Sequence, residues 1–228
     1  MPIAVYKDLC IDASDAERLQ AFYAAALHLE VAHGEGGATW LAGPTPPHAV
    51  WINEVPQAKS VKNRVHLDLH CASVAELVEL GARVLVPSSE AQRWTVMADP
   101  EGQEFDAFVR EHPPDYRLYE IAVDCADPVR VGEWWGEVFG VAVGYADDRS
   151  WCWLENLPDV PFSAFSFAPV PEPKSAKNRV HWDVTVDAVE PLIAAGATVL
   201  RAQDDEIAWT VMADVEGNEF CAFSRNDA

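Results

Sequence analysis

Lys62-Asn63-Arg64-Val65-His66-Leu67-Asp68 returns in the same chain as Lys177-Asn178-Arg179-Val180-His181-Trp182-Asp183. A second stretch, Trp94-Thr95-Val96-Met97-Ala98-Asp99, returns as Trp209-Thr210-Val211-Met212-Ala213-Asp214, and both pairs lie 115 residues apart (62 to 177, 94 to 209). Near the start, Asp12-Ala13-Ser14-Asp15 matches Asp124-Cys125-Ala126-Asp127 at a spacing of 112 (12 to 124), so the second copy is slightly longer between these points. Two copies are too few for a solenoid, which needs about three or more stacked repeats. The chain therefore reads as a tandem duplication, with domains expected over 1–111 and 116–228. The seam at 112–115, His112-Pro113-Pro114-Asp115, is polar and proline-rich, as linkers are.

Each copy divides again. Val5 to Ile11 reads as a strand, and Asp15 then opens a helix running to about His28, with the acid in its first turn. Short strands are expected around Thr39-Leu41 and Ala49-Asn53. The order then repeats: a strand from Val65 to Leu69, a short helix from Ser73 to Leu80 ended by Gly81, and strands at Arg83-Val86, Trp94-Ala98 and Phe105-Val109. Asp99-Pro100-Glu101-Gly102 carries the residues of a type I turn. Each half is a βαβββ unit, and the expected fold class is α+β, a tandem duplication of paired βαβββ modules.

Phe22-Tyr23 in the first helix, Gly81-Ala82-Arg83-Val84 after the second, and Asp99-Pro100-Glu101-Gly102-Gln103-Glu104-Phe105 before the last strand are similar, in order and spacing, to the vicinal-oxygen-chelate superfamily of glyoxalases, bleomycin-resistance proteins and dioxygenases. The likeness covers essentially the whole chain, twice, and the Lys-Asn-Arg-Val-His-x-Asp stretch resembles the glyoxalase-like subgroup. The resemblance implies curled mixed sheets enclosing pockets, with helices outside. Members pair their modules either in sequence order or exchanged, and the sequence leaves that choice open.

Side chains two apart on a strand share a face. The apolar Leu9, Ile11, Val65, Leu67 and Leu69 are expected to pack on helices, which turns Tyr6, Asp8, Cys10, His66 and Asp68 to the concave side. The same parity gives Trp51, Asn53, Asp106 and Phe108 in copy one and Glu120, His181, Asp183 and Cys221 in copy two. The resemblance places metal ligands on the first and last strands of modules: Asp8, His66 and Asp106 in copy one, and Glu120, His181 and Cys221 in copy two. One imidazole and two carboxylates could hold a divalent ion with open positions for substrate. Both sets depart from the family's usual His, Gln and Glu, so no cofactor is the favoured expectation and a divalent metal the alternative.

His66 and Asp68 admit two readings. As a pair on the pocket wall they could act as a general base. Their recurrence as His181 and Asp183, in copies that otherwise diverged, favours a structural hydrogen-bond network instead. The basic loops, holding four of the five lysines (Lys59, Lys62, Lys174, Lys177) with Arg64 and Arg179, read as salt bridges to acids such as Glu104 and Glu219 in preference to an anion-binding mouth. Of nine tryptophans, Trp51 has no counterpart in copy two and suits stacking on a planar ligand, whereas core packing accounts for Trp94 and Trp209. Trp134 and Trp135, adjacent on a helix, are not expected both to face the core. Copy one, with Asp8, Trp51, Asn53 and Asp106, is expected to hold the more functional pocket.

A net charge of −21 repels phosphate backbones, so neither nucleic acid nor an anionic membrane is an expected partner. No apolar run is long enough to span a membrane, and no signal-peptide pattern opens the chain. Five cysteines without CxxC spacing suggest neither a disulfide framework nor a zinc finger, and the cytoplasm is the expected location. The favoured reading is a protein that binds a small hydrophobic or aromatic molecule, as bleomycin-resistance relatives do, either a monomer with pseudo-dimeric repeats or a homodimer. The alternative is an enzyme of lyase, isomerase or dioxygenase type, metal-dependent or using a His–Asp base.

Overall fold

The computed structural model describes residues 2–225. Module one contains β1 (Ala4–Ala13), α1 (Ala16–Leu27), β2 (Glu30–His33), β3 (Thr39–Ala42) and β4 (Val50–Glu54). Module two contains β5 (Val65–Cys71), α2 (Val74–Glu79), β6 (Arg83–Val86), β7 (Thr95–Ala98) and β8 (Glu104–Val109). Module three contains β9 (Leu118–Cys125), α3 (Pro128–Phe139), β10 (Val143–Tyr145), β11 (Cys152–Glu155) and β12 (Ala164–Pro169). Module four contains β13 (Val180–Val186), α4 (Glu190–Ala194), β14 (Thr198–Arg201), β15 (Trp209–Ala213) and β16 (Glu219–Ser224). The fold is α+β, as the sequence reading has it.

Two open eight-stranded mixed sheets result, and neither follows the division into 1–111 and 116–228. The terminal sheet has the order β14-β15-β16-β13-β1-β4-β3-β2 and joins modules one and four. The central sheet has the order β10-β11-β12-β9-β5-β8-β7-β6 and joins modules two and three. The exchanged pairing is therefore the one realised, and each concave face is half copy one and half copy two. The seams are antiparallel: β1 on β13, with Asp8 opposite Asp183 and Cys10 opposite His181, and β5 on β9, with Asp68 opposite Glu120.

Local chemistry explains the helix boundaries. Asp15 caps α1 by accepting from the Arg18 N–H, and His28 ends it in the left-handed conformation at φ 57°. Asp127 caps α3 in the same way through the Arg130 N–H, with Pro128 in the first turn, where its missing N–H costs nothing. Both long helices lie between the convex faces of the sheets. Phe22 of α1 packs on Phe105 of the central sheet with centroids 5.8 Å apart. Trp135 of α3 packs on Trp182 and Phe220 of the terminal sheet at 4.8 and 5.1 Å. Burying a ring of this size contributes roughly 2–3 kcal/mol.

That position corrects the expectation for the adjacent tryptophans: both are buried. Both reach module four, which covers a broad flank of α3: Trp135 donates to Asp214 Oδ2 at 3.2 Å, and Trp134, with its ring 6.1 Å from Phe220, donates to the Ala195 carbonyl at the end of α4 at 2.8 Å.

The repeated motifs latch modules together. Glu101, in the Asp99 turn, accepts from the Ser14 and Asp15 N–H groups at the start of α1, and Arg179 Nη2 stands 3.4 Å from it. In the mirrored latch, Glu216 accepts from Ala126 and Asp127, with Arg64 Nη2 at 3.5 Å. Lys59 pairs with Glu104 at 2.9 Å and Lys174 with Glu219 at 2.7 Å. Lys62 pairs with Asp124, and Lys177 with Asp12, each across the seam of its sheet.

Candidate functional site

The seam strands define both sites, and a β-bulge in each alters the face assignment. On β1 the register slips between Tyr6 and Asp8, so Lys7 and Asp8 share the concave face. On β9 the register slips in the same place, and Tyr119 and Glu120 share it. A bulge inserts one residue and inverts the alternation beyond it. Tyr6, expected in the pocket, instead turns to the core, edge-on to Phe162 and Phe165 with centroids 5.3 and 6.1 Å away.

The central sheet carries a cavity of about 1080 Å³. His66, Asp68, Asp106 and Glu120 form its floor, while Trp94, Phe108, Tyr119, Trp151 and Trp153 line its walls. Trp94, expected as core, stacks on Phe108 at 5.8 Å and opens onto the cavity, because it precedes β7 at the sheet's rim. Trp151 and Trp153 stand 4.8 Å apart on the opposite wall. Ser166 and Ala164 lie beside them on β12.

The floor is acidic around one imidazole. His66 Nε2 lies 3.6 Å from Asp106 Oδ2 and 3.7 Å from Asp68 Oδ1. Both distances exceed a hydrogen bond, and among the described residues neither His66 Nδ1 nor Asp68 Oδ1 has a hydrogen-bond partner. Neither histidine hydrogen-bonds the aspartate two residues on; His181 Nε2, 3.6 Å from Asp183 Oδ1, meets the neighbouring strand instead, with Cys221 Sγ at 3.7 Å. Burial pulls the His66 pKa down, but Asp106, Asp68 and Asp124 outweigh it and the net shift is upward. Burial holds Asp68 well above the usual carboxylate range, and it also raises Glu120. Carboxylates that favour the charged form of His66 make it a poorer base, whereas Asp68 is the carboxylate of this pair that burial holds up.

The terminal sheet gathers a different set. Asp8, Cys10, His181, Asp183 and Cys221 come together at the β1–β13–β16 seam. Trp51 donates to Asp8 Oδ2 at 3.0 Å and stacks on Trp40, and Lys7 also pairs with Asp8. Asn53 is exposed on β4. Burial, with little to oppose it, lowers the His181 pKa to about 3.

The expected ligand sets are therefore regrouped. Asp8 does not meet His66 and Asp106, nor does Glu120 meet His181 and Cys221, since their modules belong to different sheets. The expectation that copy one owns the more functional pocket falls with them, because neither copy encloses a pocket by itself. Among the described residues, two triads have ligand atoms all within 4.8 Å of one another: His66, Asp68 and Asp106, and Cys10, His181 and Asp183. Tyr119, Trp151, Trp153 and Lys7 were not expected at these sites. The two-residue spacing of Trp151 and Trp153 signalled a shared face, but the bulge that exposes Tyr119 and Lys7 leaves no such sign in one sequence.

Comparison with known proteins accords with this geometry. A family model described as Glyoxalase-like domain matches residues 8–108 and again 120–223. The chain belongs to the glyoxalase-like domain family. Among solved structures, this glyoxalase-like protein is similar to glyoxalase I from Zea mays, with a TM-score of 0.68 and 13% identity over 98% of this chain and 93% of that one. It is also similar to a putative dioxygenase from Bacillus subtilis subsp. subtilis str. 168, with a TM-score of 0.64 and 11% identity over 98% of this chain and 86% of that one. A further similar structure is the cppA protein from Streptococcus pneumoniae TIGR4, with a TM-score of 0.51 and 8% identity over 97% and 98%. At such identities the likeness is one of fold. The search of curated proteins found no match. Among the described residues of this glyoxalase-like protein, no helix is long and apolar enough to cross a membrane.

Proposed function

We propose that the central cavity binds a small planar aromatic molecule, with a preference for one carrying a positive charge. The observation that carries this reading is the arrangement of five aromatic side chains around a floor of three carboxylates and one histidine. Flat aromatic walls suit stacking, and indole faces also attract cations. A floor with more acids than bases favours a cation over an anion. Sequestration without chemistry, the mode suggested by the bleomycin-resistance resemblance, needs no more than this. Five buried cysteines without disulfides fit a reducing compartment, and the cytoplasm is the proposed setting. The test is quenching of tryptophan fluorescence by a planar aromatic cation and by an anion of matched shape. Binding of the cation, weakened about tenfold or more in Trp153→Ala (roughly 1.4 kcal/mol), is expected; equal affinity for the anion would count against the reading.

A second reading rests on a separate observation. Asp68 Oδ1 is buried without a hydrogen bond among the described residues, within 4.8 Å of ligand atoms of His66 and Asp106. His66, Asp68 and Asp106, with Glu120 beside Asp68 in register, fit a hard divalent cation. When bound, such an ion supplies Lewis-acid polarisation of a substrate oxygen. In that enzyme, of lyase, isomerase or dioxygenase type, the aromatic walls would orient the substrate and exclude water, and a carboxylate of the floor not engaged by the ion would take up a proton. Metal analysis of Asp106→Asn against the parent tests this: an unchanged metal content would remove the enzyme reading's ion from this floor.

A further inference from the structure

The two basic loops meet between the copies. Arg64 Nη1 donates to the Glu172 carbonyl at 2.6 Å, and Arg179 Nη1 donates to the Gln57 carbonyl at 2.7 Å. Each bond is the other's counterpart at the spacing of 115 (57 to 172, 64 to 179), so the loops are fastened reciprocally about a pseudo-two-fold axis. Between them lies a cavity of about 620 Å³, the size of a small-molecule site. Its charge runs against that of the chain. Asp and Glu outnumber Lys and Arg by 37 to 16 overall, whereas five bases line the cavity (Lys59, Lys62, Arg64, Lys177 and Arg179) against two acids, Asp124 and Glu172. A cleft dominated by one sign of charge focuses the field inside it.

The salt bridges of these loops do not exhaust their donors. An ammonium has three, and Lys62 and Lys177 each spend one on Asp124 and Asp12. Their side chains stay 60% and 56% exposed, so the other donors are open to a ligand. The Arg64 and Arg179 side chains are only 11% and 10% exposed, and the Nε of each is buried without a hydrogen bond among the described residues. Buried donors in this state are costly, and a counter-charge nearby offsets that cost. Ser60 and Ser175, a further pair at the same spacing, add two hydroxyls to the lining.

We propose that the cavity between the two loops binds a compact polyanion, whose charged ends meet Lys62 and Lys177 and whose oxygens accept from Ser60 and Ser175. Charge-assisted bonds from ammonium groups to oxyanions are among the stronger hydrogen bonds. The pairing of like donors from the two copies suits a molecule with two charged ends better than one with a single charge. The negative field of the rest of the chain opposes a long polyanion, so a small molecule fits this site and a nucleic acid does not. Lys62 and Asp124 also line the central cavity, whereas Lys177, Ser60 and Ser175 line only the one between the loops. The inference is independent of what the central cavity binds.

The probe is inorganic pyrophosphate, titrated by calorimetry at fixed pH and ionic strength, with acetate as the singly charged control. Saturable binding of one pyrophosphate is expected, tighter than that of acetate and weakened by added salt. Succinate separates the sources: tighter pyrophosphate marks a phosphate-bearing ligand, and tighter succinate a dicarboxylate. Lys177→Ala should weaken pyrophosphate about tenfold or more, the loss of one charged hydrogen bond, and Lys177→Arg should retain it. Trp153→Ala, on the wall of the central cavity, should leave it unchanged. Glu172→Gln keeps the carbonyl that holds Arg64, removes a repelling charge and should tighten binding about two- to threefold. Failure of millimolar pyrophosphate to saturate the folded parent would overturn the proposal, as would unchanged affinity in a folded Lys177→Ala protein. Loss of binding in Trp153→Ala would also overturn it by placing the anion in the central cavity. Should Lys177→Ala not fold, Glu172→Gln decides, since unchanged or weaker binding there contradicts the site.

Discussion

In metal-free protein, His66→Ala should destabilise more than His181→Ala, and only the His66 change should depend on pH. His66 Nε2 sits 3.6 and 3.7 Å from two carboxylates, and its pKa is raised because these acids outweigh the opposing effect of burial. A histidine with a raised folded-state pKa contributes stability that is complete below its unfolded value of about 6.5 and lost as pH rises through the folded value. Breaking a fully buried ion pair costs about 3–5 kcal/mol. The His66 side chain is 14% exposed, and screening at the cavity reduces the expected cost to about 2–3 kcal/mol at pH 6, falling toward 1 at pH 9. His181 stays neutral above about pH 3, so its loss removes packing and one weak polar contact. That costs about 1–2 kcal/mol at either pH. For a chain of this size each kcal/mol moves the melting temperature by about 2–4 °C. Denaturant titrations at pH 6 and pH 9 with chelator present measure all four quantities. Equal losses from His66→Ala at the two pH values, or a larger loss from His181→Ala, would show that the charge assignment of the central floor is mistaken.

Gly144 of β10 lies under Trp153, where an added Cβ would overlap the indole ring. Gly144→Val should therefore push Trp153 from the cavity wall and weaken the fluorescence-detected ligand about tenfold (roughly 1.4 kcal/mol), with circular dichroism unchanged. Gly132→Ala in α3 meets Cys152 Sγ and lies 3.2 Å from Phe167, so overpacking should cost about 1–3 kcal/mol in denaturant melts. Arg64→Ala and Arg179→Ala each open one copy of the same latch, and each should cost about 1–3 kcal/mol by leaving Glu216 or Glu101 without its cation. A large difference between the two would show that the latches are not equivalent.

The module pattern was legible because it rests on local rules. Asp15 and Ser73 announce helix starts, Gly81 and the Asp99 turn announce stops, and the alternation of Val65, Leu67 and Leu69 marks a buried face. Two features lay outside that reach. Module pairing is a long-range choice among four similar units, and the identical motifs fit either arrangement. The bulges at Lys7 and Tyr119 are register events between strands, which a single strand's alternation does not record. One wrong parity moved Tyr6 to the wrong face, and one unresolved pairing mixed the ligands of two sites. The reason both copies kept Lys-Asn-Arg-Val-His-x-Asp also became visible only in three dimensions. Lys62 and Lys177 cross the seams, and Arg64 and Arg179 each reach a glutamate in the opposite copy.

The exchanged pairing orders events during synthesis. Strands β5 to β12 occupy one uninterrupted stretch of chain, 65–169, and form the central sheet without the rest. The terminal sheet joins residues 4–54 to residues 180–224, so β1 to β4 can pair among themselves early, while the other edge of β1 gains its partner β13 only after residues 180–186 are made. The N-terminal module must wait, with the seam edge of β1 uncovered, until β13 has been made. Such delayed pairing exposes apolar edges to aggregation. Chaperone dependence should therefore concentrate in the first fifty or so residues, and a circular permutant that begins after β12 and places β13–β16 directly ahead of β1 would turn the latest-forming sheet into the earliest.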